Sequence, residues 1–134
     1  MVCIYCGNST RVTNSRPQKR QNAIWRRRNC EACGALFTTT EQVDLASSLR
    51  IAIGKTLIPF DRDILFISIY EACRHRHTAL TDASALCSTI VNEIVRNNKA
   101  KDGLVDRKVV ITAALSVLKR FDATAATVYS AYHS

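Results

Sequence analysis

The sequence predicts an α+β protein, in which a small cysteine-rich domain precedes a larger α-helical domain that begins with a short β-hairpin. Three observations lead to this class. Residues 1–40 contain few aliphatic side chains and two Cys-x-x-Cys pairs. Residues 49–60 hold two short runs of strand-forming residues around a Gly-Lys pair. Apolar residues then recur at helical spacing from residue 61 almost to the end of the chain.

The overall composition indicates a folded protein of one or two domains. The chain has 134 residues, and 47% of them are hydrophobic, which is enough to build a buried core. No apolar run approaches the roughly 20 residues that a membrane span needs. The N-terminus lacks the basic and then apolar pattern of a secretory signal. We therefore expect a cytoplasmic protein that does not associate with membranes.

The paired cysteines have the spacing of a metal site. They are Cys3, Cys6, Cys30 and Cys33. Gly7 and Gly34 follow the two pairs directly, and glycine at these places accepts positive φ and lets backbone N–H groups point at the thiolates. Four thiolates around one ion form the closed tetrahedral geometry of structural zinc, which leaves no open position for catalysis. The sequence therefore predicts a Zn²⁺-binding ribbon, with a β-hairpin or a three-stranded sheet between the pairs.

The remaining cysteines and histidines favour structural interpretations. A thioredoxin-like redox site requires a Cys-x-x-Cys near a βαβ pattern, and that pattern is absent. Cys73 and Cys87 occur singly within apolar helical patterns, so we expect them to be buried in the core. His75 and His77 are expected to cap a helix end or to lie in solvent.

The second domain is predicted to contain one hairpin and four helices. The hairpin strands cover residues 49–53 and 56–60. Asp61 caps a helix that reaches about Arg76, and its apolar face is predicted from helical spacing. That face comprises Ile64, Ile67, Tyr70, Ala72 and Cys73.

The next two helices show clear apolar stripes. The first runs from Thr81 or Asp82 to about Asn97, and a loop containing Asn98 and Gly103 ends it. Its predicted buried residues are Leu86, Ile90, Val91 and Ile94. Asp106 caps the following helix, whose predicted stripe consists of Val109, Val110, Ala113, Val117 and Leu118. Phe121-Asp122 ends it, and a short alanine-rich helix is predicted after that.

Positive charge is concentrated in the first third of the chain. Residues 1–40 carry seven basic residues and one acidic residue, a net +6, whereas residues 41–134 carry twelve basic and ten acidic residues, a net +2. Such an imbalance indicates a polyanionic partner. The predicted nucleic-acid contacts are Arg11, Arg16, Trp25, Arg26, Arg27 and Arg28. The alternative interpretation is a solvated run of charge.

The three consecutive arginines cannot all serve one surface if they lie on a strand, because successive side chains point to opposite faces. Each guanidinium group can form two hydrogen bonds with a phosphate or a guanine. Trp25 either stacks on a base or sugar or covers the small core. On these grounds a double-stranded and a single-stranded partner both remain open.

Several stretches identify a family. The first 43 residues contain CIYCGNSTRVTNSRP and AIWRRRNCEACGALFTTTEQV, and later stretches read IPFDRDIL and LKRFDATAATVYSAY. These stretches are similar to those of the NrdR family of bacterial transcriptional regulators, the last one more loosely. The resemblance covers essentially the whole chain. It implies a zinc-ribbon DNA-binding domain over residues 1–43 and an ATP-cone-like regulatory and oligomerisation domain over residues 44–134.

The resemblance also implies a function. It predicts a non-enzymatic repressor that binds duplex operator DNA of ribonucleotide reductase genes, is associated with the nucleoid when bound, and forms homo-oligomers in response to ATP or dATP. The candidate nucleotide contacts are Arg50, Lys55 and Arg62.

Departures from the family pattern motivate an alternative. LRIAIGKT lacks the adjacent Lys-Arg pair that the family usually has there, and Ile64 stands where a lysine is usual. Nor is Gly54-Lys55-Thr56 a P-loop, because position 49 is leucine instead of glycine. The alternative function is therefore an oligomeric scaffold that does not bind nucleotides, with a zinc ribbon that docks protein partners. The sequence offers no paired carboxylates, no activated nucleophile and no open metal site that would indicate an enzyme.

Overall fold

The computed structural model describes residues 1–97 and 102–133. The chain divides into two compact units, Met1–Val43 and Asp44–Ser134, here called the ribbon and the helical unit. The predicted loop residue Asn98 lies outside the described residues. Within those residues, no helix combines the length and apolar character needed to cross a membrane.

The ribbon is a three-stranded antiparallel sheet with strand order β1-β2-β3. Its strands are β1 (Thr10–Gln18), β2 (Ala23–Cys30) and β3 (Leu36–Gln42). One cysteine pair precedes β1, and the other runs from Cys30, the last residue of β2, into the turn before β3. The hairpin predicted between the two pairs is therefore confirmed, and the third strand follows the second pair.

The helical unit combines a small sheet with a group of helices, which confirms the predicted α+β class. Its elements are α1 (Leu45–Ser48), β4 (Arg50–Ile53), β5 (Thr56–Pro59), α2 (Arg62–Ala72), α3 (Ala79–Arg96), β6 (Leu104–Asp106), α4 (Arg107–Phe121) and α5 (Ala123–His133). The strands β4 and β5 form the predicted hairpin. No sequence pattern predicted α1 or β6, and β6 pairs in parallel with β4.

Apolar side chains from α2, α3, α4 and α5 form the core of the helical unit. Ile69, Ile90 and Leu118 are among its largest fully buried side chains. The predicted buried face of α3 is confirmed at Leu86, Ile90, Val91 and Ile94. In α4, the stripe is buried at Ala113, Val117 and Leu118, while Val109 and Val110 pack partly buried against the core.

The predicted buried face of α2 is wrong at two positions. Ile64 is 61% exposed and Ile67 is 58% exposed, whereas Leu65 and Ile69 are buried. The segment DILFISIY carries apolar side chains on nearly every side of the helix, so periodicity alone does not identify the core face. Packing against α3 and α5 selects the side that carries Leu65 and Ile69.

The helix boundaries follow local capping signals. The Asp61 carboxylate accepts hydrogen bonds from the backbone N–H groups of Asp63, at 2.8 Å, and Ile64, and Asp106 accepts one from Lys108 at 2.7 Å. Both predicted N-caps are thus confirmed. Helix α4 ends at Phe121, as predicted.

Helix α2 ends at Ala72, four residues before the predicted end, and a polar cluster explains the difference. Arg76 leaves the helical path and donates hydrogen bonds to Asp82 at 2.9 Å and Asp122 at 3.0 Å. Its guanidinium group lies 4.6 Å from the centre of the Phe121 ring. His75 is exposed, as one of its two predicted roles requires, and it also contacts Asp122 at 3.1 Å. The cluster connects the α2–α3 turn to the α4–α5 junction.

Candidate metal centre and nucleic-acid interface

The four paired cysteines converge on one point in the ribbon. All four Sγ atoms lie within 4.8 Å of one another, with Cys3 and Cys33 at 3.7 Å and Cys6 and Cys30 at 3.5 Å. A Zn–S bond of about 2.3 Å places the sulfurs of a tetrahedral site about 3.8 Å apart. The donor set and its spacing therefore fit one zinc ion. Once four thiolates are bound, the ion has no open position for a substrate or water.

The backbone around the cysteines is shaped to hold an ion. Gly7 and Gly34 adopt φ values of 74° and 72°, as their places after the cysteines predict. Their N–H groups donate to the carbonyls of Cys3, at 3.0 Å, and Cys30, at 2.8 Å, and so close the two turns. Both Cys3 and Cys30 are buried, which anchors one sulfur of each pair inside the ribbon.

Hydrogen bonds to the sulfurs favour the charged thiolate form. The Asn8 side chain donates to the Cys6 Sγ at 3.3 Å, and the Tyr5 backbone N–H donates to the Cys3 Sγ at 3.4 Å. Hydrogen bonding to the side chain and backbone of Asn8 lowers the pKa of the Cys6 thiol to about 6. Asn8 was not among the residues predicted from the sequence. Its place immediately after Cys-Gly is the signal that points to this role.

The register of the sheet places four of the predicted nucleic-acid residues on one face. Cross-strand partners share a face, and Arg16 is paired with Trp25, while Arg11 is paired with Asn29. Trp25 and Asn29 each lie two residues from Arg27 on β2, so they point the same way. We call this the Arg27 face; its side chains are Arg11, Asn14, Arg16, Trp25, Arg27, Asn29, Leu36, Thr38 and Thr40.

Arg26 and Arg28 lie on the opposite face, and the alternation predicted for the three arginines is confirmed. Arg26 forms an ion pair with Glu41. Arg28 donates a hydrogen bond to the Thr10 hydroxyl at 3.3 Å. Both arginines are half-buried, whereas Arg27 is exposed. The two faces of β2 therefore differ in how readily their arginines can meet a ligand.

Arg11 has an acidic neighbour, Glu31, with its Nε atom 3.1 Å from the carboxylate. The two side chains are 67% and 73% exposed. An ion pair this exposed contributes at most about 1 kcal/mol, so a phosphate group can replace Glu31 as the partner of Arg11.

The three predicted nucleotide contacts come from three places in the helical unit, namely the start of β4, the β4–β5 turn and the start of α2. Arg50 begins β4 and Lys55 lies in the turn beyond the far end of that strand, so about 10 Å of strand separates them. Arg62 is at the start of α2, and its guanidinium group donates to the Ser84 carbonyl at 3.1 Å and to the Ser88 hydroxyl at 3.3 Å.

An open crevice in the helical unit has an apolar lining. It encloses no space that a water molecule could fill, and none of the three candidate nucleotide contacts is among its lining residues. Those residues are Leu49, Ile51, Phe60, Val91, Ile94, Val105 and Val110. A site for a nucleotide needs polar groups that fix its orientation, and these side chains provide none.

Comparison with known proteins gives consistent matches. Residues 1–41 match the family model described as "Transcriptional repressor NrdR-like, N-terminal domain". The chain is 48% identical over 77 residues to the transcriptional repressor NrdR of Sphingopyxis alaskensis, and 44% identical over 97 residues to that of Rhodospirillum centenum. These alignments cover 57% and 72% of this chain, but only 50% and 60% of the two relatives.

A longer alignment extends the similarity across both units. The transcriptional repressor NrdR of Maricaulis maris is 36% identical over 138 aligned positions, which cover 99% of this chain and 84% of the relative. The similarity therefore includes both the ribbon and the helical unit.

Proposed function

This chain belongs to the NrdR family of transcriptional repressors, and from that premise we propose that it represses transcription by binding duplex DNA through the Arg27 face of its zinc ribbon. The observation that carries the proposal is the common face of three arginines. Arg11, Arg16 and Arg27 come from two strands and project to the same side of a sheet that four thiolates hold together.

The dimensions of the ribbon suit a duplex. Arg11 and Arg16 pair with residues of β2 that are four positions apart, about 13 Å along the strand, and the major groove of B-DNA is about 12 Å wide. Proteins that bind single strands usually stack successive bases on exposed aromatic rings. The Arg27 face has one aromatic side chain, Trp25, and it is half-buried. These features favour double-stranded DNA over a single-stranded partner.

The zinc ion contributes rigidity in this proposal. The ribbon buries very few apolar side chains, so without the ion its strands would not hold the arginines at fixed positions. With the ion bound, the guanidinium groups are preorganised, and binding DNA costs less conformational entropy. The cysteines thus act on DNA binding through the geometry of the sheet.

The helical unit has the role of pairing ribbons. One ribbon neutralises few phosphates, so a single ribbon binds weakly, and a second ribbon on the same oligomer raises affinity through effective concentration. The resemblance further predicts that the operators control ribonucleotide reductase genes. It also predicts that ATP or dATP changes the oligomer.

A DNA-binding assay tests the proposal. Zinc-loaded protein is titrated onto a duplex from a ribonucleotide reductase promoter, and fluorescence anisotropy is recorded at several salt concentrations. We expect salt-sensitive, sequence-selective binding that Arg27→Ala weakens more than Arg26→Ala does. Arg26 is the matched control because it is the neighbouring arginine on the opposite face. Equal losses in the two variants would contradict the assignment to the Arg27 face.

A second candidate, an oligomeric scaffold that binds no nucleotide, is favoured by two observations. Arg50 and Lys55 lie at opposite ends of β4, and Arg62 already donates hydrogen bonds to α3. Calorimetry with ATP and with dATP separates the candidates, because micromolar binding of either nucleotide would exclude this scaffold. The idea that the ribbon docks a protein fails if charge reversal at Arg27 abolishes DNA binding and leaves protein contacts intact.

A further inference from the structure

We infer that a β-bulge at Thr13 assembles a row of three side chains, Asn14, Arg27 and Thr38, that reads base edges and sets the sequence specificity of the ribbon. This inference rests on the proposed binding of duplex DNA by the Arg27 face. It adds which residues of that face recognise sequence and which residues hold the phosphate backbone.

The bulge appears as a break in the register of β1. Val12 is paired with Arg28 and Asn14 is paired with Arg27, so Thr13 is the extra residue of β1. Side chains alternate along a regular strand, and residues an odd number apart point to opposite faces. Arg11 and Arg16 are five residues apart and nevertheless share a face, because the extra residue of the bulge shifts the alternation of side chains by one position between them.

The bulge is attached to the residue at the centre of the row. The Thr13 hydroxyl donates a hydrogen bond to the Arg27 carbonyl at 3.3 Å. Bulges often re-aim side chains beside functional sites. Here, a regular strand would pair Asn14 with Arg26 instead of Arg27. The bulge therefore moves Asn14 from the half-buried face to the Arg27 face.

The row offers the three kinds of side chain that read base edges. Asn14 and Thr38 are the cross-strand partners of Arg27 on its two sides, and all three residues are exposed. Within the described residues, no hydrogen bond or ion pair engages the Arg27 guanidinium group or the Asn14 amide. Arginine recognises guanine, asparagine recognises adenine, and threonine contacts either a base edge or the thymine methyl group.

Spacing along the strands assigns the phosphate contacts. The partners of Arg11 and Arg16 on β2 are Asn29 and Trp25, four residues apart, which is a distance of about 13 Å. This distance matches the major groove, which is about 12 Å wide. With the strands crossing the groove, Arg11 and Arg16 reach the two backbones that border it. The row of Asn14, Arg27 and Thr38 then runs along the groove over about three base pairs, given a width of about 10 Å.

The test measures specificity separately from affinity. Zinc-loaded full-length protein selects binders from a pool of duplexes with a randomised centre, and its dissociation constants are measured for the selected duplex and for a scrambled one. We expect Arg27→Lys to lower the ratio of the two affinities by about 10- to 100-fold, because lysine keeps the charge but loses the bidentate geometry. Asn14→Ala should also lower the ratio.

Two controls distinguish base reading from phosphate binding and from folding. Arg11→Gln should weaken binding to both duplexes equally and reduce the salt slope by about 1. Arg26→Lys, on the opposite face, should leave the ratio unchanged. Zinc content and Trp25 fluorescence must match the wild type in each variant of Asn14, Arg27, Arg11 and Arg26 that is interpreted.

Thr13 is a positioning residue, and its variants test the bulge itself. Thr13→Val removes the hydroxyl group that donates to the Arg27 carbonyl, and we expect it to lower the affinity ratio. Thr13→Ser keeps that donor and should restore the ratio. A purely structural role would instead reduce zinc retention in the valine variant and leave the ratio unchanged.

The outcomes distinguish failure of this inference from failure of the proposed DNA binding on which it rests. If the wild type binds no duplex, the proposed function fails and this inference fails with it. If the wild type binds duplexes but enriches no sequence, or if Arg27→Lys and Asn14→Ala keep its selectivity, the base-reading row is wrong and DNA binding stands. Lost selectivity in both row variants, with selectivity retained in Arg26→Lys, supports the inference.

Discussion

Removing zinc should unfold the ribbon and leave the helical unit folded. The chain is convenient for this experiment because its single tryptophan, Trp25, lies in the ribbon, whereas all five α-helices of the described residues lie in the helical unit. Tryptophan fluorescence therefore reports on the ribbon, and far-ultraviolet circular dichroism reports chiefly on the helical unit. A chelator supplies the perturbation without any mutation.

The expected effect of zinc removal on each unit follows from how much apolar surface that unit buries. Apart from the ligands Cys3 and Cys30, Ala23 is the buried apolar residue of the ribbon, and burial of its methyl group contributes about 0.8 kcal/mol. Half-buried Ile24, Trp25 and Phe37 add about 1 kcal/mol each. A structural zinc site contributes about 10–16 kcal/mol, several times more than these side chains together. The helical unit, by contrast, packs 21 buried residues of its described part into one core.

The expected result is a change in Trp25 emission toward that of a solvated indole, with the helical circular dichroism signal almost unchanged. Readdition of Zn²⁺ should reverse the fluorescence change, whereas Mg²⁺, which prefers oxygen ligands, should not. The reasoning would be refuted if the Trp25 signal stayed native without metal, or if the fluorescence and circular dichroism signals were lost together.

Four further predictions follow from the structure. Arg27→Ala should weaken DNA binding more than Arg107→Ala in an anisotropy titration, and equal losses would contradict the location of the DNA surface. Ile69→Ala should lower the unfolding free energy of the helical unit by about 2–5 kcal/mol, measured by urea denaturation with circular dichroism detection, and leave the Trp25 transition in place. The N–H of Ala125 and the side chain of His75 lower the pKa of Asp122 from 3.8 to about 2, so its stabilising effect is complete above pH 3.8 and is lost as the pH falls toward 2. Asp122→Asn should therefore flatten the loss of helical-unit stability over that range, and an unchanged acid profile would show that this carboxylate is not responsible. If the helical unit responds to nucleotides as the resemblance predicts, ATP or dATP should give a calorimetric binding signal and a change in solution mass; absence of both would favour the scaffold that binds no nucleotide.

Features set by neighbouring residues were predictable from the sequence. The zinc ligands and their glycines form short motifs, and their spacing alone specifies the site. The caps Asp61 and Asp106 act within three residues of themselves, so helix starts were predicted well. The stripe of α3 was also predicted correctly, because its polar and apolar residues are clearly segregated along the helix.

Features that depend on distant partners were not predictable in the same way. The strand β6 exists because it pairs in parallel with β4, about 50 residues earlier in the chain. The early end of α2 depends on Arg76 reaching Asp122 across 46 positions of sequence. The exposed positions of Ile64 and Ile67 reflect which side of an apolar helix meets α3 and α5. None of these contacts leaves a local pattern.

The candidate DNA surface lies between these two cases. The arginine block and its alternation could be predicted from the sequence, but the separation of Arg27 from Arg26 and Arg28 depends on partners in other strands. The bulge at Thr13 determines which face Asn14 and Arg16 occupy. The odd spacing of Arg11 and Arg16 was the one sequence signal of that bulge, since a common role for both residues requires an irregular strand.

The most direct test of the central claim is the salt dependence of duplex binding by zinc-loaded protein. We predict that the double variant Arg11→Ala/Arg16→Ala reduces the slope of log affinity against log salt concentration by about 2, while Arg26→Ala leaves the slope unchanged. A folded, zinc-loaded double variant that keeps the wild-type slope would contradict the claim that this face of the ribbon binds the DNA backbone.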